Sequence, residues 1–224
     1  MAALAKLQLW MDPVKRSGPE AMAVDEWLLE NATIPVLRVY GWEGDWASVG
    51  YFGKIAEARK AIPGVRWVRR WTGGGMVDHR ADWTYTLVVP QAEPLAKSRG
   101  AESYRQIHAA LAEALMAEGR QVSLSGGGEE TGAALCFENP VGHDLIDAEA
   151  RKIAGAGQRR TRQGLLHQGS VALQADDEVS AARAEKLAGQ LSTRWETAVF
   201  EPSAEELAAR MAMRYLQEKW TQLR

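Results

Sequence analysis

Hydrophobic positions recur along this chain with two periods, and the changes of period mark out its elements. A short strand-like start, 6-KLQLW-10, precedes 17-SGPEAMAVDEWLLENA-32, where Ser17 and Pro19 stand before an apolar periodicity. That order predicts a helix start, because a proline near the first helical position gives up an N–H that has no partner there. Pro35 closes the segment, and 36-VLRVY-40 and 46-WASVGYF-52 read as strands separated by a Gly/Asp turn. Alternation returns at 65-VRWVRRW-71 and 83-WTYTLVVP-90, which frame 73-GGG-75; in the second, Trp83, Tyr85, Leu87 and Val89 share one face. The clearest amphipathic helix is 101-AESYRQIHAALAEALMAEG-119, with Tyr104, Ile107, Leu111 and Leu115 at helical spacing and Gly119 at its end. Short strands are predicted at 143–146 and 151–157, and a longer one in 164-GLLHQGSVAL-173. A helix around 178–192 and a closing helix, introduced by Pro202 with Ser203 and Glu206 at capping-box spacing, complete the pattern.

Composition narrows the class. Hydrophobic residues make up 46% of the 224 and charged residues 25%, which excludes global disorder. The 27 basic and 29 acidic side chains leave a formal charge of −2, so no whole-protein attraction to nucleic acid or an anionic membrane follows. No apolar run approaches the roughly 20 residues needed to span a bilayer, and the start lacks the charged-then-apolar order of a secretory signal. The expected location is the cytoplasm. With no repeat or break in composition, residues 1–224 read as one catalytic domain without a separate accessory domain.

Several groups can carry chemistry. Triple glycine at Gly73, Gly74 and Gly75 offers backbone N–H donors with no Cβ in the way, although a plain tight turn explains it almost as well. Neither the Walker phosphate loop nor the strict dinucleotide pattern is present. Arg69 and Arg70 precede these glycines and alternate across a strand, so one of them, with Arg70 preferred, faces a ligand and the other a structural or solvated position. Cys136 is the single cysteine; it can make no internal disulfide, and it reads either as an inert packed sulfur or as a thiolate nucleophile in an exposed turn. His79, His108, His143 and His167 show no metal-ligand spacing, so no metal site is expected, and His108 beside an apolar stripe reads as structural. Lys152 stands just ahead of Gly155, Ala156 and Gly157, where an ammonium can enter a pocket closely approached by backbone. Arg159, Arg160 and Arg162 form a basic run suited to solvent or to an acidic protein partner.

Taken together, MAVDEWLL with Met22, Asp25 and Glu26, then 36-VLRVYGWEGDWASVGYF-52, 69-RRWTGGGMVDH-79, 151-RKIAGAGQRR-160 and 165-LLHQGSVAL-173 resemble the lipoate and octanoate branch of the biotin/lipoyl protein ligase family. The resemblance implies an α+β fold with a central mixed sheet, flanking helices and a smaller sheet, forming a tunnel for a medium-chain acyl group. It assigns the acyl or adenylate site to Arg70, Trp71, Gly73, Gly74, Gly75, His79, Gly155, Ala156 and Gly157, with Trp71 shaping the tunnel. The stretch 136-CFENP-140, sixteen residues before Lys152, looks like the loop of cysteine-containing octanoyl carrier-protein transferases. That likeness implies Cys136 as nucleophile and Lys152 as the group that activates it. The implied donor is acyl carrier protein. The acceptor is a lipoyl carrier domain, with the glycine-cleavage carrier protein one candidate, and no cofactor is required. The alternatives are a lipoate-protein ligase using ATP and Mg2+, or a non-catalytic acyl- or carrier-binding paralogue. This sequence departs from the family pattern at Ala150, at 155-GAG-157 and at Asp78-His79-Arg80, where histidine is not followed directly by an acid.

Overall fold

The computed structural model describes residues 2–127 and 141–223. Among these, the strands are β1 (Leu7–Met11), β2 (Val36–Tyr40), β3 (Trp46–Val49), β4 (Arg66–Arg69), β5 (Met76–Asp78), β6 (Trp83–Pro90), β7 (Ser123–Leu124), β8 (Leu145–Ile146), β9 (Lys152–Arg160), β10 (Gly164–Val171) and β11 (Trp195–Thr197). The helices are α1 (Gly18–Asn31), α2 (Ile55–Ala61), α3 (Pro94–Lys97), α4 (Gly100–Met116), α5 (Asp177–Leu191), α6 (Ala204–Arg210) and α7 (Glu218–Thr221). A large sheet has the order β11-β1-β2-β6-β10-β9-β8-β7, and a small one β4-β3-β5. Because β1, α1 and β2 make a parallel crossover while β2, β6, β10 and β9 pair antiparallel, the large sheet is mixed. No described helix is long and apolar enough to cross a membrane.

Strand β6 shows how the sequence pattern becomes two layers. All eight of its residues are buried, so neither face meets water. Trp83, Tyr85, Leu87 and Val89 join Leu111 and Leu115 of α4 and Leu187 of α5 in one core. The alternate positions, Thr84, Thr86 and Val88, turn to the opposite side, where α1 lies. Each large apolar side chain buried this way contributes about 1.5–3 kcal/mol. The threonines contribute little of that, and their presence in a fully buried strand marks the polar side of the fold.

Helix α2 and the short β5, β7, β11 and α3 have no pattern to announce them, and three predicted segments change in ways that bear on the site. The strand predicted over 46–52 stops at Val49, because the chain turns at Gly50, whose backbone N–H bonds to Gly75. The strand predicted over 151–157 runs on through the basic residues: Arg159 and Arg160 are the last residues of β9, so successive side chains leave on opposite faces. The closing helix has the expected capping box between Ser203 and Glu206 but widens into a π turn at Met211–Tyr215. That turn buries Tyr215 and carries Arg214 over the Trp71 ring, 4.1 Å from its centroid.

Candidate functional site

Strand register builds the floor of a slot. Gly155 lies opposite Ser170, Ser170 opposite Thr84 and Thr84 opposite Tyr40, one row across β9, β10, β6 and β2. With neighbouring strands about 4.8 Å apart, this row runs for about 14 Å. All four residues line a cavity of about 370 Å³, counted out to its open mouth, together with Trp42, Arg70 and His79 among others. The next row on the same face is Gly157, which lies under the glycine loop, then Gln168, Thr86 and Arg38, which bond to Asp25 of α1. Gln168 Nε2, Thr86 Oγ1 and Arg38 Nη1 all donate to the buried Asp25 carboxylate, at 2.7, 2.8 and 2.7 Å. Arg38 also pairs with Asp12 at 2.7 Å, so this wholly buried guanidinium has two counter-charges.

At the β9 end of the slot, Lys152 Nζ lies 2.6 Å from Asp144 Oδ2, with the two side chains 3% and 0% exposed. Gly155 makes the approach feasible: a Cβ there would stand 2.6 Å from Nζ. Asp144 also accepts from the Tyr104 hydroxyl and from the Val141 N–H. The Tyr104 oxygen in turn accepts the Ala156 N–H at 2.9 Å, which ties α4 to β9 beneath the slot. Behind it, the His108 Nδ1–H donates to His143 O at 2.7 Å, and burial pushes its imidazole down to about 4. The ring is therefore neutral at pH 7, and its one proton is the one on Nδ1. His108 remains a core histidine, and burial lowers His167 in the same direction.

The glycine loop packs by close backbone approach. A Cβ on Gly157 would sit 2.4 Å from Gly73 O, and one on Gly50 would sit 2.0 Å from Gly74 O. Gly74 has φ +92°, a left-handed conformation that side chains resist, whereas a Cβ at Gly73 would meet nothing within 4 Å. The two arginines before the loop diverge. Arg70 donates to Ser48 Oγ at 2.5 Å and to the carbonyls of Gly73 and Gly75 at 3.3 and 2.9 Å, holding the loop at the slot. Arg69 is fully buried and donates to the carbonyls of Gly50, Tyr51, Gly53, Trp220, Thr221 and Leu223, joining the small sheet to the chain's last turns.

His79 lines the slot, and its acid partner comes from three residues further on. Nδ1 lies 2.8 Å from Asp82 Oδ2 and Nε2 lies 2.6 Å from Ser48 Oγ. A carboxylate accepts, so Nδ1 carries the proton that faces Asp82, while Nε2 shares a hydrogen bond with the serine hydroxyl. Asp78, adjacent in sequence, instead binds the exposed Arg80 at the protein surface. Asp82 also accepts from Ser170 and Thr84, so the hydroxyls of the slot floor are already bonded.

Other residues singled out from the sequence fall elsewhere. Trp71 does not line the slot; the guanidinium groups of Arg159 and Arg214 lie over its ring, at 4.4 and 4.1 Å. Its neighbours on β4 alternate, and position 71 is carried out of the slot side towards the C-terminal segment. Gly73 and Gly74 pack over Gly157, and neither they nor Gly75 line the cavity, while Gly155, Ala156 and Gly157 do line it. Arg159 is half-buried, donates to Trp71 O at 3.3 Å, and is lowered by burial and by the nearby Arg214. Arg160 is exposed and reaches Ser103 Oγ at 2.6 Å; Arg162 is exposed. Cys136 lies outside the described residues. Pattern reading did not single out Trp42, Ser48, Asp82, Tyr104, Asp144 or Gln168 for the site. The available signal was polar residues inside otherwise apolar strands, such as Thr84 and Gln168.

The description "Lipoyl protein ligase A/B catalytic domain" fits residues 17–212 of this chain. The octanoyltransferase LipM of Symbiobacterium thermophilum is 32% identical over 181 residues, covering 74% of this chain and 65% of that protein. That of Geobacillus kaustophilus is 34% identical over 175 residues, covering 70% and 62%. The chain thus spans a little under two thirds of the length of these relatives. Among solved structures, a T. acidophilum protein with bound lipoic acid superposes with a TM-score of 0.75 at 17% identity, covering 98% of this chain and 100% of that one. A lipoate-protein ligase A bound with ATP gives 0.67 at 20% identity, covering 99% of each. These last two likenesses establish the mixed-sheet fold.

Proposed function

The chain belongs to the lipoyl protein ligase A/B catalytic-domain family, and from that premise we propose that it is an octanoyltransferase working through an acyl-cysteine at Cys136. In this reading the Cys136 thiolate attacks the thioester carbonyl of octanoyl acyl carrier protein, and the carrier's thiol leaves. The amine of a lysine on a lipoyl carrier domain then attacks the enzyme thioester, forming an amide and releasing Cys136. The glycine-cleavage carrier protein is one acceptor of that kind. The incoming thioester is already activated, so the cycle needs neither ATP nor Mg2+.

The observation that carries the reading is the Lys152 ammonium at the edge of a slot floored by Gly155, Ser170 and Thr84. With Asp144 2.6 Å away, Lys152 works as a fixed hydrogen-bond donor to the carbonyl oxygen as charge develops there. Arg70 would hold the glycine loop as the slot's rim. The exposed Arg160 and Arg162 would meet the acidic surface of a carrier.

Intact mass tests the proposal. Mixing the protein with octanoyl carrier protein without ATP should add one octanoyl group, labile to hydroxylamine, to the wild type and none to Cys136→Ser. Adding an apo-lipoyl domain should discharge it onto the acceptor lysine. Transfer that requires free octanoate with ATP and Mg2+, and survives Cys136→Ser, would establish a ligase instead. Binding of a carrier without transfer under either condition would leave a binding paralogue.

A further inference from the structure

Resting on the reading of the slot as an acyl site, we propose that Trp42 is its end wall and sets the longest acyl chain the protein accepts. The floor row Gly155, Ser170, Thr84 and Tyr40 gives the slot a direction, away from Lys152 and across the sheet. Trp42 stands two residues beyond Tyr40, past the end of β2, at the far end of that row. On its other side lies a second, open groove of about 1,530 Å³. Tyr40, Trp42, His79 and Thr84 line both spaces and are the partition between them.

Within that partition the indole is the largest side chain and is held on two sides. Its ring stacks on His79 with centroids 4.1 Å apart and planes 19° from parallel. Its Nε1 donates to Thr84 Oγ1 at 2.9 Å. Thr84 and His79 are both anchored to Asp82, so the wall is fixed to the slot floor. A chain growing along the floor from the Lys152 end meets the indole; with a smaller residue there, its terminal methylenes would pass into the groove. The role that sequence resemblance implied for Trp71 thus falls to a tryptophan from a different segment.

The test compares wild type, Trp42→Ala and Trp42→Phe with octanoyl, decanoyl, dodecanoyl and tetradecanoyl thioesters of one carrier, and with the corresponding free fatty acids in a fluorescent-probe displacement assay. Wild type should fall off with length, and Trp42→Ala should raise the tetradecanoyl-to-octanoyl ratio about ten-fold or more, since single methylenes are discriminated about 10- to 200-fold in fitted pockets. Trp42→Phe, which keeps one ring on His79, should extend the range by less. Circular dichroism and thermal melting establish which variants fold, and Trp42→Phe carries the test if Trp42→Ala does not. A length profile identical to wild type in the smallest folded variant, or no length discrimination in wild type, overturns the assignment. Wild-type protein that binds fatty acids with a length cut-off but transfers none would end the transferase reading, while the displacement series would still decide Trp42.

Discussion

Asp144 holds the Lys152 ammonium at 2.6 Å where neither side chain is more than 3% exposed. Removing one member of a buried pair takes the counter-charge from the other in a low-dielectric site, a change that costs about 3–5 kcal/mol. Asp144→Leu and Lys152→Met should each lower Tm by about 10 °C, on a scale of about 2–4 °C per kcal/mol for a chain of this size. The double variant should be less destabilised than the two losses added together. Thermal melts of the four proteins check this, and strict additivity would mean that the two groups do not interact.

Asp82, not Asp78, governs His79. Asp82→Asn removes the carboxylate facing Nδ1 and should change the ring's tautomer, read by nitrogen-15 chemical shifts of the imidazole, and weaken acyl binding. Asp78→Asn breaks only an exposed pair with Arg80 and should change stability by no more than about 0.5 kcal/mol. Equal shifts of the His79 resonances in both variants would contradict the assignment.

Glycines 73 and 157 should respond unequally to the same change. Gly157→Ala drives a Cβ to 2.4 Å from Gly73 O, a backbone atom that cannot swing aside, and should cost about 1–3 kcal/mol while displacing the loop. Gly73→Ala meets open space and should fold with nearly unchanged stability. Denaturant midpoints compare the two directly.

Arg69 and Arg70 should separate stability from binding. Arg69→Gln leaves several buried carbonyls without donors and should lower Tm and expose the segment 218–223 to proteolysis. Arg70→Ala should cost binding more than folding, by roughly 10- to 150-fold for a lost charge-assisted hydrogen bond. Limited proteolysis and ligand titration on the same samples distinguish them.

Acid should destabilise the protein through His108. Its folded-state value near 4 lies below the ordinary 6.5, so the unfolded chain binds more protons between those limits and stability falls as pH drops through that window. The loss from this group is about 3 kcal/mol between pH 6.5 and pH 4, with His167 shifted the same way. Denaturation of His108→Leu across that range should show a shallower slope than wild type, whatever its absolute stability. An unchanged slope would remove His108 as the cause.

The sequence by itself determined most of the framework. The all-buried 83-WTYTLVVP-90, the helical stripe from Tyr104 to Leu115 and the Ser203/Glu206 cap are local patterns, and local backbone geometry is enough to turn them into strand, helix and helix start. Alternation also separated Arg69 from Arg70 and exposed Lys152 beside Gly155 as a candidate. Tertiary structure decided the partners. Asp144 reaches Lys152 through the pairing of β8 with β9, Asp82 rather than Asp78 meets His79, and Ser48 reaches His79 from the neighbouring strand β3. Trp42 and Trp71 look equally able to bound a slot in one dimension, but the fold places the first in the slot's lining, bonded to Thr84, and the second outside it beside Arg159 and Arg214. Periodicity specifies which face a side chain takes on its own element; which charge, ring or cavity that face meets depends on contacts between segments distant in sequence, and no local pattern encodes those.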